Sequence, residues 1–308
     1  MKDTNRRDFI KTALAANVAA GAAAGVSAAA AGSASAKTPF KLCILFGDNP
    51  ERPPTEIAPG FDLAEVPVSL QLIPLETNQA WEAKRKEISS WKLPPIKMSS
   101  HFIPAGPVTG PNVDTDWLDF WMKRAFPRIA EMGVEVAGVY GNFFAVPDGF
   151  PRAKARDQAL KFASQLADYA RRYKVLIALE PTGVPATVFP KYVDGVAFAR
   201  ELGRPEVRVM ADTAYFLAYD QPLEDIAKAP EYCLHCHIAG EKGQPGVGDR
   251  VAYHTRLFRI LRDIGYTRAV SCACPWVDTS GSGKLHFGVE TAKTLRYLRD
   301  LRDKVYSS

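Results

Sequence analysis

Short apolar runs alternate along the chain with longer stretches in which apolar residues recur at helical spacing. Apolar, β-branched runs of about four to eight residues predict strands. Spacing of three or four residues, as in Leu118, Trp121, Met122 and Ala125, predicts amphipathic helices. The predicted strands are residues 40–46, 63–68, 96–103, 134–140, 174–180, 207–212, 233–239 and 269–274.

Predicted helices separate or follow these strands. The first begins after Asp114 and Thr115, which form a good N-cap. A chain of 308 residues is long enough for one barrel or for two small domains. Eight strands with helices between them and no linker favour an α/β fold with a single (β/α)8 TIM barrel, whose active site lies at the C-terminal strand ends. The other predicted helices are residues 152–173, 192–202, 223–227, 253–264 and 289–304.

The first 36 residues have a different character. Arg6 and Arg7 form a twin-arginine start, residues 12–36 carry no charge, and the segment ends in Ala-Ser-Ala. This pattern predicts a twin-arginine signal peptide over 1–36, a barrel domain over 37–308 and a periplasmic location. The alternative is a transmembrane helix, but Ala, Gly and Ser supply little transfer free energy. We expect no membrane span in the mature protein.

The net charge limits the classes of binding partner, and the cysteine count bears on disulfide bonds. The formal net charge is +5, and no Lys/Arg cluster alternates with aromatic residues, so nucleic acid and anionic membranes are poor partner candidates. The five cysteines are odd in number, which argues against a disulfide framework even in an oxidising compartment. The sequence leaves open whether the chain forms a homo-oligomer.

Residues 233–237 read C-L-H-C-H and permit two interpretations. As a peptide motif, C-x-x-C-H is the attachment site of c-type haem. As a strand, it directs His235 and His237 to one face, and Leu234, Cys236 and Ile238 to the other. Twin-arginine substrates fold before export, whereas haem is normally attached to an unfolded exported chain. The strand interpretation is therefore preferred.

Three polar side chains fall at successive strand ends: Glu180, Asp212 and His237. Two carboxylates and an imidazole suit a divalent metal ion such as Mn²⁺, Mg²⁺, Co²⁺ or Zn²⁺. Taken singly, Asp212 could be only the N-cap of the next helix and His237 only a core residue. Their convergence at the barrel mouth favours a metal site.

These strands resemble those of a known family. The segments 177–181 (IALEP), 211–213 (ADT) and 235–239 (HCHIA) are similar to the signature strands of the xylose isomerase-like TIM barrels, the sugar phosphate isomerase/epimerase group. Segments 65–68, 109–114, 146–150 and 245–249 extend the resemblance over nearly the whole mature chain. The resemblance implies a metal-dependent isomerase or epimerase that acts on a small sugar, with Glu180, Asp212 and His237 as metal ligands.

The chain departs from the family pattern in the segment 141–144, which is bulkier than the family's glycine-rich segment, and at three single positions. The family's fourth ligand, a Glu on strand eight, is Ala273 here; its His three residues after the Asp is Tyr215; and the Arg beyond strand seven is Gln244. The family's ketose epimerases use two carboxylates, one on each face of an enediolate. The loss at Ala273 therefore predicts weak or absent C3-epimerase activity.

The sequence leaves three functions open. The first is a metal-dependent sugar isomerase or epimerase in which Glu180 or His237 moves the proton. The second is a lyase or dehydratase acting on a keto-sugar or cyclitol, which needs one base, and the third is a non-catalytic sugar-binding barrel. Cys272 and Cys274 should face the helices, unless a bulge turns one inward to a Zn²⁺. The candidate substrate-binding residues are Glu65, His101, His235 and Trp276.

Overall fold

The computed structural model describes residues 38–49, 52–102 and 106–308, in which eight parallel strands close into one barrel. Each strand pairs with its neighbours in chain order, and β8 closes the ring against β1, where Ser271 lies opposite Cys43. The predicted (β/α)8 barrel is therefore confirmed. The strands are β1 (Lys41–Leu45), β2 (Leu63–Pro67), β3 (Ile96–Phe102), β4 (Val136–Tyr140), β5 (Leu176–Glu180), β6 (Val207–Asp212), β7 (Cys233–Ile238) and β8 (Ala269–Cys272).

Seven α-helices lie in the described part of the chain. Two of them, α1 and α5, are not predicted by apolar spacing, because α1 buries only Trp81 and Ile88 and α5 has only 6 residues. The predicted helix at 223–227 is a 3-10 turn, Leu223–Asp225. The helices are α1 (Asn78–Ser90), α2 (Thr115–Glu131), α3 (Arg152–Tyr173), α4 (Tyr192–Leu202), α5 (Thr213–Ala218), α6 (Val251–Asp263) and α7 (Phe287–Tyr306).

The structure confirms the predicted start of α2 and shortens the predicted end of β8. The carboxylate of Asp114 accepts a 2.9 Å hydrogen bond from the backbone N–H of Trp117, so Asp114 is the N-cap, as predicted. Strand β8 is shorter than predicted and ends at Cys272. Ala273 and Cys274 therefore belong to the loop that follows it, although the Ala273 N–H still donates to the carbonyl of Ile238 at 3.3 Å.

The barrel interior is a closed layer to which every strand contributes. Side chains that point outward pack instead in two larger clusters against the helices. Interior packing of this kind makes a TIM barrel a solid core with a site at one end. The layer consists of Cys43, Leu63, Met98, Val136, Ala178, Met210, Leu234 and Ala269.

Strand β7 departs from simple alternation at Leu234. The pairing of β6 with β7 runs from Val209 opposite Cys233 to Met210 opposite His235, so one residue of β7 is left over. This bulge turns Leu234 into the interior layer, the same side as His235. The prediction that Leu234 lies opposite the histidines is wrong, whereas Cys236 and Ile238 do face outward.

No helix in residues 38–49, 52–102 or 106–308 has the length and apolar character needed to cross a bilayer. The predicted signal peptide, 1–36, lies outside the described residues.

Candidate active site

Strands β5, β6 and β7 bring the three predicted metal ligands together at the C-terminal end of the barrel. Asp212 lies opposite His237 in the β6–β7 pairing. The Nδ1 atom of His237 is 3.6 Å from Oδ2 of Asp212 and 3.7 Å from Oε1 of Glu180. All three side chains are buried. The convergence predicted from three strand ends is present.

The donor set fits a divalent cation. One ligand atom each from Glu180, Asp212 and His237 lies within 4.8 Å of the others. The buried Nδ1 of His237 has no hydrogen-bond partner among the described residues, although two carboxylates face it. An imidazole nitrogen and two carboxylate oxygens arranged in this way suit Mn²⁺, Mg²⁺, Co²⁺ or Zn²⁺.

Asp212 has two separate roles. Its Oδ1 accepts a hydrogen bond of 2.8 Å from the backbone N–H of Ala214, so the residue caps α5. Its Oδ2 is the oxygen that faces His237. The cap holds the carboxylate in place and leaves the second oxygen for the site.

Beneath this group lies a second cluster, in which one carboxylate joins two imidazoles. Oε2 of Glu65 is 3.0 Å from Nε2 of His235, and Oε1 is 3.0 Å from Nε2 of His237. Glu65 and His235 are both 0% exposed. Because both oxygens of Glu65 contact the histidines, this geometry favours a positioning role behind His237. Their predicted role in binding substrate stays a prediction.

Electrostatics couple the two clusters. Burial alone would raise the pKa of Glu65, but the imidazoles of His237 and His235 outweigh it and hold this pKa well below its usual range. Burial opposes charge on His237, yet Glu65, Asp212 and Glu180 together raise its pKa well above the usual value. Burial dominates at His235 and lowers its pKa despite Glu65. The protein thus gathers carboxylates around His237, an arrangement that equally attracts a cation.

Strand β8 supplies no carboxylate. Ala273 is buried just beyond the strand end, and Cys272 and Cys274 on either side of it pack in the outer core against the helices. The prediction that both cysteines face away from the interior is confirmed, and no bulge turns either one inward.

Two tyrosines stand beside Glu180. Tyr140 ends β4 and lies opposite Glu180 in the β4–β5 pairing, and its hydroxyl is 3.1 Å from that of Tyr215. In the sequence, Tyr215 stands out only as a departure from the family, and Tyr140 was not predicted as a site residue. Its position could have identified Tyr140 as a candidate site residue, since it is the last residue of a predicted strand.

The backbone next to Glu180 requires a glycine. A Cβ added to Gly141 would collide with the carbonyl oxygen of Glu180. The ends of β4 and β5 can approach this closely only because residue 141 has no side chain.

Three other residues singled out in the sequence, Trp276, Gln244 and His101, make different contacts. Trp276 is 6% exposed and packs edge-on against Phe287, with ring centroids 5.1 Å apart, which favours a core role. Gln244 is buried and bonds to Val277 and Glu290, so it joins loops to α7. His101 is half-buried in β3 with a φ of 49°, and its carbonyl accepts a hydrogen bond from Ser69. The substrate-binding roles of Trp276 and His101 stay predictions.

The geometry of the C-x-x-C-H segment argues against haem. Cys233 and Cys236 are buried in the outer core, whereas His237 points into the barrel. The two thiols and the imidazole therefore lie on opposite faces of β7 and cannot serve one haem.

The fold and this site define a class. The profile of the xylose isomerase-like TIM barrel family matches residues 60–301, and the chain belongs to that family. The D-psicose 3-epimerase of Agrobacterium fabrum (strain C58) is 26% identical over 168 residues, which cover 53% of this chain and 57% of that protein. The chain thus matches less than two thirds of the length of this curated relative.

Solved structures share the whole barrel. The 3-keto-D-glucoside 4-epimerase from E. coli superposes with a TM-score of 0.63 at 17% identity, covering 87% of this chain and 100% of that one. The IOLI protein with a bound zinc atom gives a TM-score of 0.62 at 16% identity, covering 87% and 98%. At these identities the similarity establishes the fold.

Proposed function

We propose that the chain is a metal-dependent enzyme of the sugar isomerase/epimerase group that moves a proton next to the carbonyl of a sugar or sugar derivative. The observation that carries the proposal is the buried group of Glu180, Asp212 and His237, in which Nδ1 of His237 faces two carboxylates. The epimerases among the chain's relatives support the same class of reaction.

Glu180, Asp212 and His237 would hold the metal ion, which when bound polarises a carbonyl and lowers the barrier to enolisation. The Glu180 carboxylate, at the end of β5, takes and returns the proton. Glu65 fixes the orientation of His237 through Nε2, and the cap to Ala214 fixes Asp212. The carboxylate-rich ligand set favours hard cations, with Zn²⁺ also admissible.

The test is the Glu180→Gln variant, which keeps the size of the side chain and removes its charge. After identical dialysis against Mn²⁺, Co²⁺ or Zn²⁺, we expect the parent to retain about one ion per chain and the variant to lose most of it. In D2O, only the parent should exchange the proton next to the carbonyl of a keto-sugar. Glu201→Gln, a change at an exposed position, is the matched control. Equal metal content in parent and variant would contradict the proposal, and sugar binding without exchange would favour a binding protein.

Elimination is the second candidate, and Ala273 favours it. Inversion of a carbon centre needs proton donors on both faces of a planar intermediate, whereas elimination can proceed with groups on one face. The side chain of Ala273 has no proton to give. A keto-glycoside, the substrate type named for the E. coli relative, contains both the acidic C–H and a leaving group.

We also propose that the enzyme works in the periplasm. The support is the twin-arginine sequence at Arg6 and Arg7 and the Ala-Ser-Ala sequence that ends at residue 36. Exported protein should begin at Lys37, and the double change of Arg6 and Arg7 to Lys should keep the precursor in the cytoplasm. Export of the double variant would contradict the location.

A further inference from the structure

Two tyrosine hydroxyls meet at the barrel mouth beside the proposed base. Tyr140 is the last residue of β4, and Tyr215 lies in α5, the short helix that follows β6. Their hydroxyl oxygens are 3.1 Å apart. Because β5 lies between β4 and β6 in the closed order, the pair links the two strands that flank the strand ending in Glu180.

Alternation along β4 directs Tyr140 toward the interior. Val136 belongs to the interior layer, and a Cβ on Gly138 would meet the Met210 side chain of the same layer. Tyr140 is two residues further on and so lies on the same face, at the level where the strands end. Tyr215 is almost fully buried, and its hydroxyl reaches the same place.

The opposite side of the mouth has a different chemistry. In the ring of eight strands, β8 is four strands from β4, which is the largest separation available. Ala273 follows β8, and the thiols of its neighbours Cys272 and Cys274 are in the outer core. Glu180 and the two hydroxyls thus stand on one side of the mouth, and a methyl group stands on the other.

We propose that the Tyr140–Tyr215 pair is the acid of this site, and that it works with Glu180 on the same face of a keto-sugar. The inference rests on the proposed function, because it needs the proton abstraction by Glu180, and it specifies the second candidate, elimination, as a one-face reaction. In a 3-keto-glycoside, Glu180 removes the proton on C2 while the bond between C1 and the aglycone oxygen breaks and a C1=C2 double bond forms. The Tyr215 hydroxyl gives its proton to the departing oxygen.

The reaction balances without any further reagent. The products are an unsaturated ketone and an alcohol, and the proton held by Glu180 returns to the Tyr215 phenolate through solvent. Tyr140 assists because its hydroxyl, which can rotate, donates a hydrogen bond to the Tyr215 oxygen once the latter has lost its proton.

The test compares two leaving groups in Tyr215→Phe and Tyr140→Phe. The probes are methyl and 4-nitrophenyl 3-keto-β-D-glucoside, and the control is Tyr169→Phe, whose hydroxyl donates to Asp119 outside the barrel. Methoxide is a poor leaving group that needs a proton, whereas 4-nitrophenolate leaves without one. We expect elimination of the methyl glycoside to fall by about 10²–10⁴-fold in Tyr215→Phe. Tyr140→Phe should show a smaller loss, and the 4-nitrophenyl glycoside should be affected little.

Metal content and deuterium exchange at C2, followed in D2O, separate this inference from the proposed function. Both Tyr→Phe variants should keep the metal and the C2 exchange of the parent, because Glu180 is intact. If the parent shows no exchange at C2, or if Glu180→Gln exchanges as fast as the parent, the proposed function fails. If exchange is present, two results would show that the assignment of the tyrosines is wrong: the Tyr→Phe variants lose elimination of both glycosides equally, or they lose elimination of neither. Inversion at C2 by the parent would overturn the one-face chemistry.

Discussion

At the scale of single residues, Glu65 determines what His237 can offer to a metal ion. Its Oε1 lies 3.0 Å from Nε2 of His237, and because a carboxylate oxygen only accepts hydrogen bonds, this contact favours a proton on Nε2. Nδ1 is then the ring nitrogen that faces Glu180 and Asp212. A carboxylate behind a ligating imidazole fixes the tautomer and raises the basicity of the ligand.

Replacing Glu65 with Gln should therefore weaken metal binding without touching a ligand. We expect the dissociation constant for Mn²⁺ or Co²⁺, measured by calorimetry, to rise by about 10–100-fold. The matched control is Glu290→Gln, another buried carboxylate, which bonds to Thr279 and Gln244 away from the histidines. Unchanged affinity in Glu65→Gln, or an equal loss in Glu290→Gln, would count against the positioning role.

Ala273 is the second decisive residue, because the resemblance to the family implies a fourth ligand at this position. Alternation places it on the interior side, between two cysteines that pack outward. Ala273→Glu should add a carboxylate to the site and tighten metal binding at least about tenfold, which is about 1.4 kcal/mol. Ala273→Gln, equal in size but neutral, should not. Weaker binding in both variants would show that this position has no path to the metal.

The site was partly predictable at this scale, for a physical reason. A parallel barrel brings all strand ends to one rim, so Glu180, Asp212 and His237 could be grouped from strand positions alone. The contact between Glu65 and the two histidines depends on the depth of side chains inside the barrel, which strand alternation does not specify. The Tyr140–Tyr215 contact depends on α5, a helix too short to be seen in the apolar pattern.

At the scale of elements, the predicted strands agree with the structure to within about two residues at each end. The exception is the side chain of Leu234, which points to the opposite face from the predicted one. The bulge that turns it arises from the pairing with β6 and leaves no mark in the sequence of β7.

His254 connects three elements near the site. From α6, its Nε2 lies 3.0 Å from the Ala239 carbonyl beyond β7, and its Nδ1 lies 2.9 Å from the Tyr297 hydroxyl of α7.

These contacts give the fold a dependence on pH. Burial, with a smaller contribution from Arg250 and against the hydrogen bond to Ala239, lowers the pKa of His254 from 6.5 to about 4. The folded state therefore holds a neutral imidazole. Its contribution to stability is full above pH 6.5 and is lost as the pH falls toward 4, up to about 3 kcal/mol.

His254→Gln should remove this part of the pH dependence. Urea unfolding at pH 7.5 and pH 4.5 should show a smaller difference in the free energy of unfolding for the variant than for the parent. His286→Gln, at an exposed position, should keep the parent's difference. The same pH dependence in His254→Gln as in the parent would assign the acid sensitivity to other groups.

At the scale of the whole molecule, the alternation of strands and helices was sufficient to predict one barrel, because each strand must find a parallel neighbour and each helix must cover one. The same fold explains where the five cysteines lie. Cys43 lies in the interior layer, and the other four are on the outward faces of β7 and β8 or just beyond. All five cysteines carry buried thiols.

A protein exported in its folded state should carry these thiols into an oxidising compartment unchanged. Burial raises the pKa of Cys43, Cys236 and Cys272 well above the usual value, and that of Cys233 to about 12, so thiolate is scarce. We expect the native protein, purified without reductant, to react slowly or not at all with 5,5′-dithiobis(2-nitrobenzoate).

In denaturant the same sample should titrate all 5 thiols. The protein should also show no Soret band, because Cys233 and Cys236 are enclosed in the outer core and cannot reach a haem on the side of His237. The informative measurement is the number of thiols that titrate in a sample denatured under non-reducing conditions. Three titratable thiols instead of five would mean a disulfide that this structure does not contain, and fast reaction in the native state would mean that β7 or β8 opens to solvent.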